Sequence, residues 1–573
     1  MNKLIFSIAV FCLLITLVRC KTGTSVDASD IATDSASIAR GQIVFTQNCS
    51  ACHNFLQAGI GPALGGITAS ADPQWILRFV RDSKGMIDSG DERARKLFEK
   101  YHTVMPSFAH VPETDQQALL AYLHTQKQAP QAEEQGDWIT NPIPTPIAVS
   151  GLVVDLSPVT QFPASADEMP RTRITKLDRQ PGTDDLFVVE LRGKLYKLID
   201  NKPVVYFDMA RVRPQFIHTP GLATGFGSFA FHPDFQKNGL LYTTHTELPA
   251  AGKSTFPYAD TVKATVQWVI TEWKTSRPAA MPFEGQGREL FRVNMVSGIH
   301  GVQEVTFDPL AKPGTADYGL LYIGVGDGGC VEHGHGYLAH DPHKPWGTIF
   351  RIDPAGHNGH GGQYGIPAGN PFAKQPDKGL GEIYAYGFRN PHRITWSHTG
   401  QMLVSHIGQG NIESLDLIQS GQDYGWPVRE GTFLLDPPKS MVHVYPLPAD
   451  DAEQHFTYPV VQYDHDEGKA ISGGFEYTGA SLTPLKGKFL FGDIPSGRLF
   501  FVEIADLREG SQATIHEWRV SLQGQVKTLT ELCGSDRVDL HFGRDGHGEM
   551  YIMTKADGKL YKMTGVTAQT EAL

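Results

Sequence analysis

Two cysteines and a histidine in residues 48–53 (NCSACH) could attach a haem. In the order Cys49-x-x-Cys52-His53, the two thiols would join the porphyrin covalently and the imidazole would ligate the iron, as in c-type haem proteins. A zinc site uses the same residue types, but no second Cys/His pair follows at zinc-finger spacing. The motif therefore predicts covalent haem c, a group that transfers electrons.

The second axial ligand is expected from a methionine. Met105, in residues 104–108 (VMPSF), is the first choice, and Met86 is the alternative. A thioether opposite a histidine raises the iron potential and favours electron acceptance. Either methionine could instead be an ordinary packed side chain.

Residues 36–128 are similar to class I cytochrome c domains. That family carries a Gly-Pro-x-Leu stretch after the haem motif, which residues 61–64 match, and a methionine before its last helix. Met105 has that position, because the apolar spacing of residues 113–126 predicts a final helix. The resemblance implies an all-α domain in which the Pro62 carbonyl steadies His53.

After about residue 149 the pattern changes to short strands bounded by Gly, Pro and Asp. One apolar string recurs at residues 185–190 (DLFVVE), 240–245 (LLYTTH), 320–325 (LLYIGV), 401–406 (QMLVSH), 488–493 (KFLFGD) and 549–554 (EMYIMT). A second strand often follows, as in residues 193–198 (GKLYKL) and 558–563 (GKLYKM). Hairpins repeated at this period predict a six-bladed β-propeller over residues 149–565, with an array of β-sandwiches as the alternative.

Several strings of this second domain resemble the soluble glucose/sorbosone dehydrogenases that use pyrroloquinoline quinone (PQQ). They occur in that family's order at residues 226–242, 326–329 (GDGG), 387–391 (GFRNP), 423–427 (DYGWP), 471–474 (ISGG) and 492–497 (GDIPSG). The resemblance implies PQQ and possible Ca²⁺ as cofactors and oxidation of a sugar or alcohol, with hydride passing to the quinone.

The same resemblance implies roles for individual residues. His300 matches the general base, and Arg389 matches an arginine near the quinone carbonyls. The loop with Gly408 and Gln409 matches one whose backbone oxygens hold Ca²⁺.

Two departures from the family pattern concern charge. The basic residues that grip the PQQ carboxylates are reduced to Arg498 and Arg537, which should weaken the binding of a tricarboxylate. The acidic residue that often accompanies the base is missing, because Ile299 precedes His300.

Composition and the first residues bear on compartment and partners. The chain has 573 residues and a net charge of -12, with no basic run, which argues against nucleic-acid binding. Residues 1–20 resemble a signal peptide ending in Cys20, as in bacterial lipoproteins, although Arg19 departs from that pattern and an uncleaved anchor is the alternative. We expect a tether at residues 21–35, a linker at 129–148, a periplasmic or extracellular location, a possible lipid anchor and an external one-electron carrier as partner.

Other residues leave alternatives open. Cys330 and Cys533 could pair or remain buried thiols. Carboxylates at 464, 466 and 493 could bind Ca²⁺ or cap turns, and a His-rich loop at residues 330–343 could bind a transition metal or none. Two rival functions remain. In one, the propeller binds without catalysis beside a haem that serves electron transfer alone. In the other, the propeller is an extracellular carbohydrate- or protein-binding scaffold with a different cofactor.

Overall fold

A computed structural model describes residues 31–50, 52–55, 58, 61–101, 104–109, 111–127, 137–167, 169–219, 221, 223–256 and 261–568. The expected signal peptide, Cys20 and most of the tether lie outside the described residues. Within them, no helix has the length and apolar character needed to cross a membrane.

The first domain is helical. Its helices are α1 (Ser35–Asn48), α2 (Ile67–Ser70), α3 (Pro73–Arg81), α4 (Ser83–Asp88), α5 (Glu92–Tyr101) and α6 (Glu113–Thr125). Carboxylates begin two of them: Asp34 accepts the Ser37 N–H at 2.9 Å, and Asp72 accepts the Trp75 N–H at 2.9 Å. Apolar side chains of α1, α3 and α6 form one core, and the predicted final helix is confirmed as α6.

The second domain is built of strands that are rich in β-branched and aromatic residues. The strands are β1 (Ala148–Gln161), β2 (Ile174–Arg179), β3 (Leu186–Glu190), β4 (Lys194–Ile199), β5 (Lys202–Asp208), β6 (Phe226–Phe231), β7 (Leu240–Glu247), β8 (Val266–Lys274), β9 (Gln286–Met295), β10 (Glu304–Phe307), β11 (Leu321–Val325), β12 (Thr348–Ile352), β13 (Ile383–Tyr386), β14 (Pro391–Trp396), β15 (Met402–His406), β16 (Ile412–Ile418), β17 (Arg429–Glu430), β18 (Phe433–Asp436), β19 (Ser440–Tyr445), β20 (Val461–Asp464), β21 (Phe475–Glu476), β22 (Lys488–Gly492), β23 (Leu499–Glu503), β24 (His516–Leu522), β25 (Gln525–Lys527), β26 (Leu540–Arg544), β27 (Met550–Thr554) and β28 (Lys559–Ala568). Short α-helices interrupt them as α7 (Met209–Val212), α8 (Phe235–Asn238) and α9 (Leu529–Cys533), and 3-10 turns lie at Gly336–Leu338, His360–Gly362, Asp451–Gln454, Thr483–Leu485 and Ile504–Asp506.

Most strands pair in antiparallel groups of four that follow the chain. The groups are β2–β5, β6–β9, β10–β13, β14-β15-β16-β20, β21–β24 and β26-β27-β28-β1. The recurrent apolar strings form β3, β7, β11, β15, β22 and β27, so each is the second strand of its group. Because β1 pairs with β28, the first strand of the domain completes the group made by the last three.

The first strands of several groups face one another across a buried centre. Lys176 of β2 donates to Ser228 of β6 at 3.2 Å and to Glu304 of β10 at 2.5 Å. Arg393 of β14 donates to the carbonyl of Thr175 in β2 at 2.6 Å. The loops that precede these first strands therefore lie close to one another, at one end of the buried centre.

The part of the expected linker that is described, residues 137–147, lies along the β domain. Trp138 stacks on His443 with ring centroids 4.8 Å apart. The Ile143 N–H donates to Asp464 at 2.9 Å, and the Ile147 N–H donates to Glu467 at 3.1 Å. These contacts give this segment a defined path up to β1.

Cys330 and Cys533 are both buried, and neither forms a disulfide within the described structure. Of the two alternatives for these residues, the structure has the buried thiols. They act as small apolar side chains in two different cores.

Candidate functional site

The haem motif forms a turn at the end of α1. The backbone N–H groups of Cys52 and His53 both donate to the Cys49 carbonyl, at 3.1 and 3.0 Å. His53 Nδ1 lies 2.9 Å from the Pro62 carbonyl oxygen, the partner that the cytochrome resemblance implied. Because a carbonyl can only accept, Nδ1 carries the proton and the Nε2 lone pair can ligate iron.

Gly61 holds the His53 ring in place by close approach. A Cβ at this position would lie 2.3 Å from His53 Cε1, which is far inside van der Waals contact. Only glycine allows the backbone to cover the imidazole at this distance.

The two thiols fit covalent haem attachment. Cys49 and Cys52 are not joined to each other in the described structure. Burial raises the pKa of Cys49 to about 12 and of Cys52 to about 11, so both hold their protons near neutral pH. Met105 is half-buried and its carbonyl accepts the Ser83 hydroxyl at 2.5 Å, while Met86 lies half-buried in α4.

In the β domain, His300 lies in the loop between β9 and β10. It is 7% exposed and has a φ of 47°, a left-handed conformation that is uncommon for a residue with a side chain. Its Nδ1 lies 2.8 Å from Oδ1 of Asp327, which follows β11. Position 299, just before His300, is an isoleucine and supplies no acidic partner. Asp327, from another loop, supplies the carboxylate instead.

Asp327 is itself held by several donors. Its Oδ2 accepts the Trp426 indole N–H at 3.0 Å, and its Oδ1 accepts the Gly329 N–H at 2.8 Å. Burial alone would raise the pKa of Asp327, but His300 and Arg389 outweigh it and hold that pKa below its usual value. The carboxylate is therefore ionised, and it favours the His300 tautomer with its proton on Nδ1 and a lone pair on Nε2.

Backbone contacts lock the loops of His300 and Asp327 together. The Gly328 N–H donates to the His300 carbonyl at 3.0 Å, and the Asp327 N–H donates to the Arg389 carbonyl at 2.8 Å. A Cβ at Gly326 would lie 2.2 Å from the His300 carbonyl oxygen, so this approach requires glycine. The structure thus brings His300, Asp327 and Arg389 into one cluster.

Arg389 precedes β14 and is 2% exposed. Its guanidinium donates to Glu332 Oε1 at 2.7 Å, to Gln409 Oε1 at 2.8 Å and to the Gly408 carbonyl. Glu332 therefore compensates its positive charge inside the site. Sequence reasoning did not find Glu332, because an isolated glutamate in a His-rich loop carried no signal.

The loop with Gly408 and Gln409 is organised by one carboxylate. Glu430 Oε1 accepts the N–H groups of residues 409–412 at distances from 2.7 to 3.1 Å. The Gly408 carbonyl faces the Arg389 cation, which does not fit a Ca²⁺ ligand. Gln409 Nε2 is buried and has no hydrogen-bond partner among the described residues, so it is a donor available to a ligand oxygen.

The two arginines expected to grip carboxylates differ in their surroundings. Arg498 is paired with Glu467 and Glu517, each at 2.6 Å. Its charge is thus matched within the protein, and no described hydrogen bond joins it to the His300 cluster. Arg537 is half-exposed and donates to Asp539 at 2.7 Å.

The haem motif lies beside this cluster. Asn54, the residue after the haem histidine, donates from Nδ2 to the Glu332 carbonyl at 3.0 Å. The charges of Glu332 and Arg537 also act on Cys52, the first raising and the second lowering its pKa. One glutamate therefore contacts the haem-attachment segment through its carbonyl and Arg389 through its carboxylate.

The His-rich loop does not gather into a metal site. His333 contacts the Gly329 carbonyl at 2.8 Å, His340 pairs with Asp423 at 2.9 Å, and His343 pairs with Asp341 at 3.0 Å. No group of three or more potential ligands occurs in the parts of the chain that are described.

Comparisons with known proteins agree with this two-part organisation. Residues 177–562 match the family model for glucose/sorbosone dehydrogenases, and residues 38–127 match that for cytochrome c. HIPL1 protein of Arabidopsis thaliana is 24% identical over 380 residues, which cover 58% of this chain and 52% of the relative. Quinoprotein glucose dehydrogenase B of Acinetobacter calcoaceticus is 23% identical over 234 residues, 37% of this chain and 42% of the relative.

Human Hedgehog-interacting protein is 25% identical over 425 residues, 69% of this chain and 51% of its own. The chain thus spans about half the length of the curated relatives it matches. Among solved structures, PQQ-bound aldose sugar dehydrogenase of Streptomyces coelicolor aligns with a TM-score of 0.48 and 19% identity, over 74% of this chain and 100% of that one. Cytochrome c from Rhodothermus marinus aligns with a TM-score of 0.16 and 31% identity, over 16% of this chain and 78% of that one.

Proposed function

The chain belongs to the glucose/sorbosone dehydrogenase family, and from that premise we propose that it is an exported oxidoreductase. In this proposal it oxidises a sugar or alcohol with PQQ in the β domain and passes the electrons through covalent haem c to an external carrier. The four-stranded groups are then the blades of a six-bladed propeller, and the protein works on the periplasmic or extracellular side, where a lipid at Cys20 could anchor it.

The observation that carries the proposal is the contact between the two domains. Asn54 of the haem-attachment segment binds Glu332, and Glu332 binds Arg389 of the His300 cluster. A binding module with an unrelated cytochrome has no need for this juxtaposition. A dehydrogenase with two redox centres does need it, because electron transfer between the centres requires that they be close.

The residues of the cluster support removal of a hydroxyl proton. His300 would accept the proton at Nε2, and Asp327 would stabilise the resulting imidazolium through Nδ1, 2.8 Å away. Arg389 and the Gln409 amide would bind oxygens of the cofactor, where negative charge develops. Bound PQQ would supply a two-electron acceptor for hydride, which a one-electron haem cannot supply.

A sugar and alcohol panel tests the proposal. The purified protein, with haem attached, is supplied with PQQ and Ca²⁺, and the ferrous haem absorbance is followed after each substrate is added. We expect reduction with at least one substrate, and a loss of about 10²-fold or more in a His300→Ala variant. His343→Ala, a half-exposed histidine paired with Asp341, is the matched control and should keep the wild-type rate.

A second candidate is a non-catalytic propeller beside an electron-transfer haem. The charges favour it: Arg389 and Arg498 are both compensated by carboxylates of the protein itself. It predicts no PQQ binding and no haem reduction with any member of the panel, and that result would overturn the enzymatic proposal.

A further inference from the structure

Met105 lies in a loop between α5 and α6 that is tied to the turn between α3 and α4. Its carbonyl accepts the Ser83 hydroxyl at 2.5 Å. Two residues later, the Ser107 hydroxyl donates to the Arg81 carbonyl at 2.6 Å. Ser83 is only 1% exposed, whereas Ser107 is exposed. Water therefore competes less with the hydrogen bond to Met105 than with the bond made by Ser107.

Backbone and side-chain contacts hold the rest of this loop. The Phe108 N–H donates to the Val80 carbonyl at 3.0 Å. Gln116 of α6 is 2% exposed, and it donates to the Phe108 carbonyl at 3.4 Å and accepts from the Arg81 guanidinium at 2.5 Å. The loop is thus bound to α3 on one side and to α6 on the other.

The position of Ser83 is fixed by the start of α4. Asp82 caps this helix, and its carboxylate accepts the Gly85 N–H at 2.8 Å. Ser83 follows as the first residue of α4. The Ser83 hydroxyl therefore comes from a capped helix and binds a loop 22 residues further along the chain.

The helices that hold the loop also pack against the haem motif. Ile76 and Leu77 of α3 share one apolar core with Leu120 of α6. Cys49 and Phe55, at the start of the haem motif and just after it, pack against the same core. A ligand on the Met105 loop is therefore supported by the elements that position the haem-attachment segment.

Met86, the alternative axial ligand, has a serine of its own. The Ser89 hydroxyl donates to the Met86 carbonyl at 3.0 Å, but Ser89 is exposed. The Met86 N–H donates to the Asp82 carbonyl at 3.2 Å, so the backbone of Met86 is held within α4. The two candidate methionines thus receive the same kind of contact, and only the contact to Met105 comes from a buried hydroxyl outside its own segment.

We propose that Ser83 is a positioning residue for Met105 as an axial ligand of the haem iron. By holding the Met105 carbonyl, the buried hydroxyl keeps the loop where the thioether can bind the iron. A thioether raises the iron potential and so stabilises the ferrous form more than the ferric form. Loss of the Ser83 contact should therefore be most visible in the ferric protein. The inference rests on the haem part of the proposed function and on neither PQQ nor the substrate.

Imidazole binding to the ferric, haem-loaded full chain tests the assignment, because imidazole must displace the thioether to reach the iron. In Ser83→Ala the Met105 carbonyl loses its buried donor, and we expect the imidazole affinity to rise about 5- to 100-fold. The weak far-red absorbance that ferric haem shows when a thioether is bound should fall in parallel. Met105→Ala, which has no thioether to displace, should lack this absorbance and set the upper limit of the affinity.

Ser89→Ala is the matched control, because it removes the equivalent contact from Met86. Its imidazole affinity should stay within about twofold of wild type, as is usual for an exposed position. If Ser83→Ala does not retain haem, Ser83→Cys replaces it. The thiol is similar in size and a weaker donor, so the affinity should rise about 2- to 10-fold.

Two results would overturn the proposal. An unchanged imidazole affinity in Ser83→Ala, with only a lower melting temperature, would make Ser83 a structural residue. A rise in Ser89→Ala, or far-red absorbance that persists in Met105→Ala, would assign the ligand elsewhere. Because no substrate is added, a chain that fails the sugar panel can still confirm the role of Ser83, and a failure here leaves the panel to decide the proposed function.

Discussion

The two domains each anchor one histidine through Nδ1, but they use partners of different charge. His53 is bound by the neutral Pro62 carbonyl at 2.9 Å, and His300 is bound by the Asp327 carboxylate at 2.8 Å. Both arrangements leave Nε2 for chemistry. Burial lowers the pKa of His53, and the Pro62 carbonyl opposes that only in part.

The difference matches two kinds of work. A metal ligand needs a fixed ring and an unprotonated Nε2, and the Pro62 carbonyl orients the ring while favouring the imidazolium too weakly to offset burial. A general base must become positively charged during the reaction, and an ionised carboxylate stabilises that state. The neighbouring group thus supports the proposed ligand role of His53 and the proposed base role of His300.

The largest effect on activity is expected when the negative charge of Asp327, the partner of His300, is removed. Asp327→Asn keeps the shape of the side chain and removes the carboxylate, so the wrong His300 tautomer is favoured and the imidazolium loses its counter-charge. We expect substrate-driven haem reduction to fall by about 10²- to 10⁴-fold. Asp341→Asn, which alters a half-buried carboxylate paired with His343, is the control. Equal rates in both variants would show that the Asp327 carboxylate does not assist His300.

In the cytochrome domain, the position of the His53 ring depends on steric contact with residue 61 and not on a charged partner. A Gly61→Ala substitution places a Cβ 2.3 Å from the His53 ring, so the ring or the loop must move. We expect a loss of about 1–3 kcal/mol in the stability of the cytochrome domain, together with a change in the visible spectrum of the haem. Gly90→Ala, at a position with no atom within 4 Å of the new Cβ but with a φ of 87°, controls for backbone strain alone.

The pH dependence of stability tests whether the Asp327 carboxylate beside His300 is ionised. Asp327 has a folded-state pKa below its unfolded value of about 3.9. Its contribution to stability is therefore present above that unfolded value and is lost as pH falls through the folded pKa. The melting temperature of wild type should exceed that of Asp327→Asn near pH 7, and the gap should narrow below about pH 4; a constant gap would show that the carboxylate is not held ionised.

The smallest effect is expected at the contact between the domains. Asn54→Ala removes one hydrogen bond to Glu332, which is worth about 0.5–1.5 kcal/mol. We expect internal haem reduction to slow by less than about tenfold, while substrate oxidation by a small soluble acceptor is unchanged. If haem reduction and oxidation by the soluble acceptor both fell equally, Asn54 would be needed for the structure of the His300 cluster and not for electron transfer between the domains.

The haem-attachment motif could be recognised in the sequence because its residues are contiguous. Cys49, Cys52 and His53 lie within five positions, and Pro62 follows close behind. The recurrent apolar strings were also sufficient to locate the second strand of each four-stranded group, since a local pattern defines a strand.

The His300 cluster of the β domain was harder to predict, because its residues come from separate strand groups. Asp327 lies 27 residues after His300, and the GDGG string that contains it signalled the family without indicating its partner. The pairing of Arg498 with Glu517 depends on two adjacent strands, β23 and β24, so the sequence could not show that its charge is already matched.

Stopped-flow absorbance of the haem after the PQQ-loaded protein is mixed with an active substrate tests the central claim most directly. If the His300 cluster delivers electrons to the haem of the same chain, reduction is first order, and its rate is the same over a tenfold range of protein concentration. A rate that rises in proportion to protein concentration would mean that electrons pass between molecules, and would contradict the account.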